Sequence, residues 1–447
     1  MVNASRRHFC KAIGTFGISA AAARLLSPVR MLAQTSTAQP GYRALVCIAL
    51  DGGCDSNSVI VPLDPGQYAN YAQVRPDLVV AQSALIPFKA SSGQSFGVNP
   101  ALPTIAGLIG SGKCAVVANT GSLNQPISKE GYLNGTQNIP TNLMDHELQK
   151  IQWGTCYTDT SAVASTHSGW GGRIADALST FSSGQYPIVT GLLADVGEVG
   201  FCFGGNSTPA LISPGSTGFP TQALASLQVL TTTTSGSRLI SAATDGLRSA
   251  VEQNTALNNA LATAPQLQTV FPNTSIGGQL AEVAQIIACR GALGLQRQIF
   301  MVEHGGFDTH VVQLASLGST FAQLDAAVSA FQSALAELGV ADQVLTFTTS
   351  DFNRSLVENG SGGTDHGWGG HHLVFGNAVK SADVFGTFPD LTLNGPDDYS
   401  GTGCWIPTTS VDQYGATLAS WMGVPDSALQ NIFPNLANFK TQKLGFV

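Results

Sequence analysis

Thr348–His372 reads TTSDFNRSLVENGSGGTDHGWGGHH. It holds three of the chain's eight histidines, two aspartates and a cluster of glycines. An apolar run, Asp342–Thr349 (DQVLTFTT), leads into it, and HLVFGNAV leads out from His372. The pattern predicts a buried strand that delivers polar, metal-capable side chains onto a glycine-rich loop, after which the chain returns to the core. Two other stretches repeat this design. Arg43–Leu50 is a continuous apolar run ending in Asp51-Gly-Gly-Cys-Asp55-Ser-Asn57, and Gln298–Glu303 runs into His304-Gly-Gly-Phe-Asp308-Thr-His310. Lys113–Asn119 and Tyr186–Leu192 are further strand candidates.

Helical spacing separates these runs. Residues 99–112, 237–265, 276–293, 311–339 and 411–422 carry it. Leu280, Val283, Ile286 and Ile287 share one face, as do Phe321, Leu324, Phe331, Leu335 and Leu338. Asp145 is placed to cap a helix that carries His146 in its first turn. Strands alternating with helices predict an α/β fold with a central, mostly parallel sheet flanked by helices. Such a sheet collects the polar strand ends along one edge, where α/β proteins bind ligands.

The N-terminus carries Ser5-Arg6-Arg7-His8-Phe9-Cys10-Lys11, then AIGTFGISAAAARLL and a small-residue site at Ser36-Thr37-Ala38. This predicts a twin-arginine signal peptide over 1–38 and a periplasmic or extracellular protein. Residues 39–447 read as a single domain, with a Gly/Ser/Thr-rich insertion around 204–235. No other stretch reaches 18 apolar residues, so no transmembrane segment is expected after signal removal. Only 11% of residues are charged, and losing residues 1–38 moves the net charge from −8 to −13. Such an acidic chain is not expected to bind nucleic acid. None of the eight cysteines forms a C-x-x-C pair, which argues against a zinc knuckle. An odd seven after the signal leaves at least one thiol free.

The strand ends mix carboxylates with imidazoles, a donor set suited to zinc, manganese or similar divalent ions. Asp55, Asp308, His310, Asp351 and His366 are the candidate ligands. His366 and His146 are candidate acid–base groups, and Arg354 is a candidate clamp for a phosphate or sulfate oxygen. Plainer roles stand beside these. Asp55 suits a turn cap, Asp308 a helix cap, Arg354 a structural pair with Asp351, and His146 a supporting position. His371 and His372 begin a strand and rank lower.

At Gly52-Gly53-Cys54-Asp55-Ser56-Asn57, Gly169-Trp170-Gly171-Gly172-Arg173, Gly306-Phe307-Asp308-Thr309-His310, Ser350-Asp351-Phe352-Asn353-Arg354 and Gly363-Thr364-Asp365-His366-Gly367, the chain resembles the DUF1501 family of twin-arginine-exported bacterial proteins. The resemblance covers nearly the whole chain after the signal. That family is grouped with the alkaline-phosphatase-like superfamily, which includes sulfatases and cofactor-independent phosphoglycerate mutases. The resemblance implies a one- or two-metal site at the strand C-termini. Asp308 and His310 look like the aspartate and histidine of one metal site, His366 like the histidine that closes it, and Asp55, or alternatively Asp51, like the first-strand metal aspartate. Asp351 looks like the carboxylate of an Asp-His pair whose histidine is replaced by Phe352. Asp145 stands where relatives place a serine nucleophile, and an aspartate there would ligate a metal, activate water or cap the helix.

The expected function is an exported hydrolase of phosphate or sulfate esters, small or polymeric, using one or two zinc, manganese or calcium ions. The alternative is a non-catalytic envelope protein that binds a polysaccharide or a partner protein. Phe352 and Asp145 favour the latter.

Overall fold

A computed structural model describes residues 41–447 except 160–167, 185, 193–196, 214–226, 228–230 and 233–236. The signal expected over 1–38, His167 and most of the 204–235 insertion lie outside the described residues.

Fourteen short strands are described: β1 (Arg43–Leu50), β2 (Ile60–Pro62), β3 (Ile86–Lys89), β4 (Ser95–Val98), β5 (Cys114–Gly121), β6 (Val189–Leu192), β7 (Ala210–Ile212), β8 (Arg297–His304), β9 (Val344–Ser350), β10 (Arg354–Glu358), β11 (Thr364–His366), β12 (Gly370–Phe375), β13 (Val384–Phe385) and β14 (Thr409–Ser410). The central sheet runs β13-β5-β12-β9-β1-β8-β6-β7, with β14 also on β5. Every pairing in it is parallel except those of β12, which is antiparallel to β5 and β9. The central strands are buried on both faces: Ala44–Leu50 of β1 is apolar throughout, and Val344–Ser350 of β9 is wholly buried although it carries three threonines and a serine. Each fully buried Val, Leu, Ile or Phe contributes about 1.5–3 kcal/mol. The flanking helices turn their apolar stripes inward. Leu280, Val283, Ile286 and Ile287 of Ser275–Ala288 are buried, as are Leu317, Phe321, Leu324, Phe331 and Leu335 of Gln313–Glu337.

Register decides where the chemistry falls. Leu50 at the end of β1 lies opposite His304 at the end of β8 and Ser350 at the end of β9. The segments that follow, from Asp51, Gly305 and Asp351, therefore leave the sheet side by side. Asp351 to His366 is not one loop: β10 and β11 form an antiparallel hairpin in which Arg354 lies opposite His366. A small separate sheet, β2-β4-β3, packs beside the first 3-10 turn at Ser56–Ser58.

Among the described residues all seven cysteines are buried, and none is in a disulfide. No helix among them is long and apolar enough to cross a membrane.

The helix Val411–Met422 opens with a capping box at Ser410 and Gln413 and stops at Gly423, whose φ is 100°. Its Asp412 is buried, accepting from Asn435 N at 2.9 Å and Ser410 Oγ at 3.1 Å. Burial pushes its pKa up to about 6. The folded state thus holds this proton more tightly than the unfolded chain. The group's favourable contribution is present below about pH 4 and is lost as pH rises through about 6. Asp412→Asn should remove that dependence. In urea titrations the variant's stability relative to wild type should improve by about 2 kcal/mol between pH 4 and pH 7. An unchanged difference across that range would contradict the assignment.

Candidate metal centre

The helix His146–Thr155 aims its first turn at the sheet edge. Asp145 is its N-cap and accepts from Leu148 N at 3.0 Å. Both ends are anchored. Lys150 pairs with Asp51 at the end of β1 (2.5 Å), while Trp170 Nε1 donates to Trp153 O (2.9 Å) and Arg173 Nη2 to Thr155 O (2.7 Å). The Gly169–Arg173 motif thus serves to hold the C-terminal end of the helix that carries His146.

Four side chains meet at the edge. His146 comes from the helix, Asp308 and His310 from the segment after β8, and His366 from the end of β11. Around Asp308 Oδ1 stand His310 Nε2 at 3.2 Å, His146 Nε2 at 3.6 Å and His366 Nε2 at 3.9 Å. The Nε2 atoms of His310 and His366 are 2.9 Å apart. The candidate donor atoms of His146, Asp308 and His366 all lie within 4.8 Å of one another.

Two of the rings are hydrogen-bonded from behind through their other nitrogen, and the third lies near a carboxylate. His146 Nδ1 is 2.6 Å from Asp351 Oδ2. His366 Nδ1 donates to Met144 O at 2.7 Å. His310 Nδ1 lies 3.4 Å from Asp365 Oδ1. A ring that gives its Nδ1 proton away presents an Nε2 lone pair, the arrangement by which proteins orient metal-binding histidines. His146 Nε2 is buried and has no hydrogen-bond partner, which in a polar, converging site marks a place for a ligand.

The surroundings set the charges. Burial raises the Asp308 carboxyl's pKa, but the hydrogen bond and charge of Arg354 outweigh that and hold it below the ordinary range. The Asp351 hydrogen bond raises His146, against its burial. Burial lowers His366 and favours its neutral form. Phe352 closes one side, its ring centre 4.6 Å from those of both His146 and His366. Two glycines permit the tight assembly. At Gly52 (φ 109°) a Cβ would fall 2.5 Å from Asp308 N, and at Gly53 (φ 74°) 2.5 Å from the Phe352 ring.

Several expected roles are corrected. Asp55 is not in the cluster. It is fully buried in a two-pronged pair with Arg75 (2.6 and 3.0 Å) and also accepts from Ser58 Oγ (2.6 Å) and Gln313 Nε2 (2.7 Å). Its alternative, Asp51, is paired with Lys150. Arg354 is no oxygen clamp. It is fully buried, its guanidinium donating to the carbonyls of Gly53 (2.9 Å), Thr364 (2.9 Å) and Gly52 (2.6 Å) and to Asp308. It positions Asp308 and does not pair with Asp351. Asp351 supports His146 from behind and does not aim at the cluster. Asp145 is an exposed cap. Asp308 caps no helix, since the next begins at Gln313. His371 and His372 are both buried in β12, and burial pushes both down to about 3.

The sequence of a family described as "Protein of unknown function (DUF1501)" matches residues 42–402. No curated protein matches the chain. Among solved structures it is similar to the C-terminal periplasmic domain of EcEptC from Escherichia coli in complex with Zn, at 8% identity and a TM-score of 0.37, covering 88% of this chain and 85% of that one. It is also similar to a sulfatase from Pseudoalteromonas sp., at 13% identity and a TM-score of 0.33, over 84% and 71% of the two chains. A third is the lipoteichoic acid synthase from Listeria monocytogenes, at 8% and 0.35, over 86% and 72%. All three overlaps are loose.

Proposed function

The chain belongs to the DUF1501 family, and on that premise we propose that it is an exported, metal-dependent hydrolase of phosphate or sulfate esters. The observation that carries the metal is the convergence of three Nε2 atoms on Asp308, with the rings of His146 and His366 oriented by hydrogen bonds at Nδ1. Four donors about 2.0–2.1 Å from one tetrahedral ion stand about 3.3–3.4 Å apart. Four of the six donor separations here, 2.9 to 3.9 Å, bracket that spacing, and His146, Asp308 and His366 are the three whose donor atoms all lie within 4.8 Å of one another. Two imidazoles and a carboxylate, with a third imidazole beside them, favour zinc or manganese over calcium, which takes oxygen ligands. The proposed site holds one ion.

In this reading His146, Asp308 and His366 hold the ion. The ion would polarise the ester and make its bound water acidic enough to serve as a nucleophile near neutral pH. Asp351 and Met144 O keep the two half-buried rings of His146 and His366 oriented, and Arg354 keeps Asp308 ionised. His310, whose side chain is 42% exposed, stands on the open side and moves the proton at its Nε2 between water and the leaving oxygen. Phe352 keeps water away from the back of the site. Export rests on the Arg6-Arg7 signal.

A second reading keeps the fold without catalysis. The 2.9 Å approach of His310 to His366 favours His310 as a fourth ligand, and a closed four-ligand site is structural. The engaged donors of Arg354 point the same way. The chain would then bind a polysaccharide or a partner protein in the envelope.

Zinc- or manganese-loaded protein assayed on aryl phosphate and aryl sulfate esters separates the two. The hydrolase reading expects turnover that His310→Ala lowers by about a hundredfold or more while the ion stays bound. Metal-bound protein with no turnover on either ester class would remove the hydrolase reading.

A further inference from the structure

We infer that the candidate metal centre takes an ester whose organic part is an apolar chain, an alkyl or acyl tail, held by Val311, Val312 and Leu314. This rests on the ester-hydrolase reading above. Six large apolar side chains are exposed among the described residues, and three of them fall within four positions of His310: Val311 at 56%, Val312 at 64% and Leu314 at 53%. Singly exposed apolar residues are ordinary, but a run of them beside a candidate site is not. Val312 lies within about 7.6 Å of His310, counted Cα to Cα along the chain.

The run is built to stay outside. Gln313, between Val312 and Leu314, is buried, and its amide bonds Asp55 (2.7 Å) and Thr309 (3.0 Å) and also Thr364. That anchor fixes the turn, and Val312 takes φ 51°, ψ 33°, a left-handed conformation that β-branched residues avoid. A polar residue such as Asn would sit there more easily. On another side of the centre, Leu143 and Met144 directly precede Asp145 and His146, and Met144 O holds His366.

The cations of this rim are already engaged. Arg354 is buried on carbonyls and Asp308, and Lys150 is paired with Asp51 and Glu147. Asp308, Asp365 and Glu147 are carboxylates with more than half of their side-chain surface exposed. The ion therefore supplies the attraction for an anionic head, and the apolar run supplies it for the tail.

The test is calorimetric titration of zinc-loaded protein with methyl phosphate and hexyl phosphate, with the corresponding sulfates run beside them. Hexyl phosphate or hexyl sulfate should bind about tenfold or more tightly than its methyl counterpart. The triple variant Val311→Ser, Val312→Asn, Leu314→Gln should keep its zinc and lose the preference. Equal affinity for methyl and hexyl esters in both series, no binding of any of them, or a preference that survives in the variant would overturn the inference. A chain-length preference in wild type, lost in the variant, in a protein that turns over no ester would leave this binding surface standing and remove the hydrolase reading alone.

Discussion

His146→Ala should cost the protein its ion. In competition titrations against a zinc chelator its affinity is expected to fall by more than a hundredfold. His146 brings the one buried ring nitrogen of the cluster that has no partner of its own, and no neighbouring side chain can replace it, since Phe352 fills the adjacent space. Asp351→Asn tests the support separately. The ring would remain, but the carboxylate 2.6 Å from its Nδ1 would be gone. Losing such an outer partner lowers metal affinity about 10–100-fold. The two variants should therefore rank, with His146→Ala the more damaging. Wild-type affinity in both would contradict the assignment of His146.

Asp55→Ala should cost about 3–5 kcal/mol of stability, because it strands the Arg75 guanidinium, fully buried, without its partner. A typical domain has only about 5–15 kcal/mol in total, so the variant should unfold at much lower urea concentration. Replacing both partners, Asp55→Leu with Arg75→Met, should recover part of the loss, since removing a buried pair together avoids an unpaired charge, although the Leu356 and Ser355 carbonyls and the Gln313 amide lose a partner. Burial works against the Asp55 carboxylate, but Arg75, through charge and hydrogen bonds, keeps its pKa below the ordinary value. The experiment also separates two roles. A structural Asp55 loses stability while metal per folded chain stays constant. Full stability with lost metal would make Asp55 a ligand after all.

The contrast between these two residues shows what could be read from the sequence. The strands β1, β8 and β9 were legible because continuous apolar runs that stop at glycine and aspartate mark buried parallel strands. The same rule brought out Asp308 and His310, which stand just beyond such an end, whereas His366 was singled out by its place in the glycine-flanked Thr364-Asp365-His366 stretch. His146 was harder to rank. Its carboxylate partner lies 205 residues away, and only the fold brings a helix N-terminus to the end of β9. A hint was available at Phe352: an aspartate whose adjacent histidine is missing leaves room for an imidazole from elsewhere. Asp55 misled because it sits at a strand end beside glycines, like a ligand, while its partners Arg75 and Gln313 come from segments with no local signature. Arg354 misled similarly. An arginine beside a site suggests an anion clamp until its donors are traced to carbonyls. The direction of β12 was not legible, since apolar periodicity carries no polarity. The strands β2, β3 and β4, three or four residues each, are too short to stand out.

His146, Asp308 and His366, with His310 beside them, are proposed to form one divalent-ion site. Elemental analysis of purified, dialysed protein tests it most directly. Close to one zinc or manganese per chain is expected, reduced to near zero in Asp308→Ala combined with His366→Ala, while Asp145→Ala retains it. Wild-type protein that stays metal-free after incubation with both ions, and that melts at the same temperature with and without them, would contradict it.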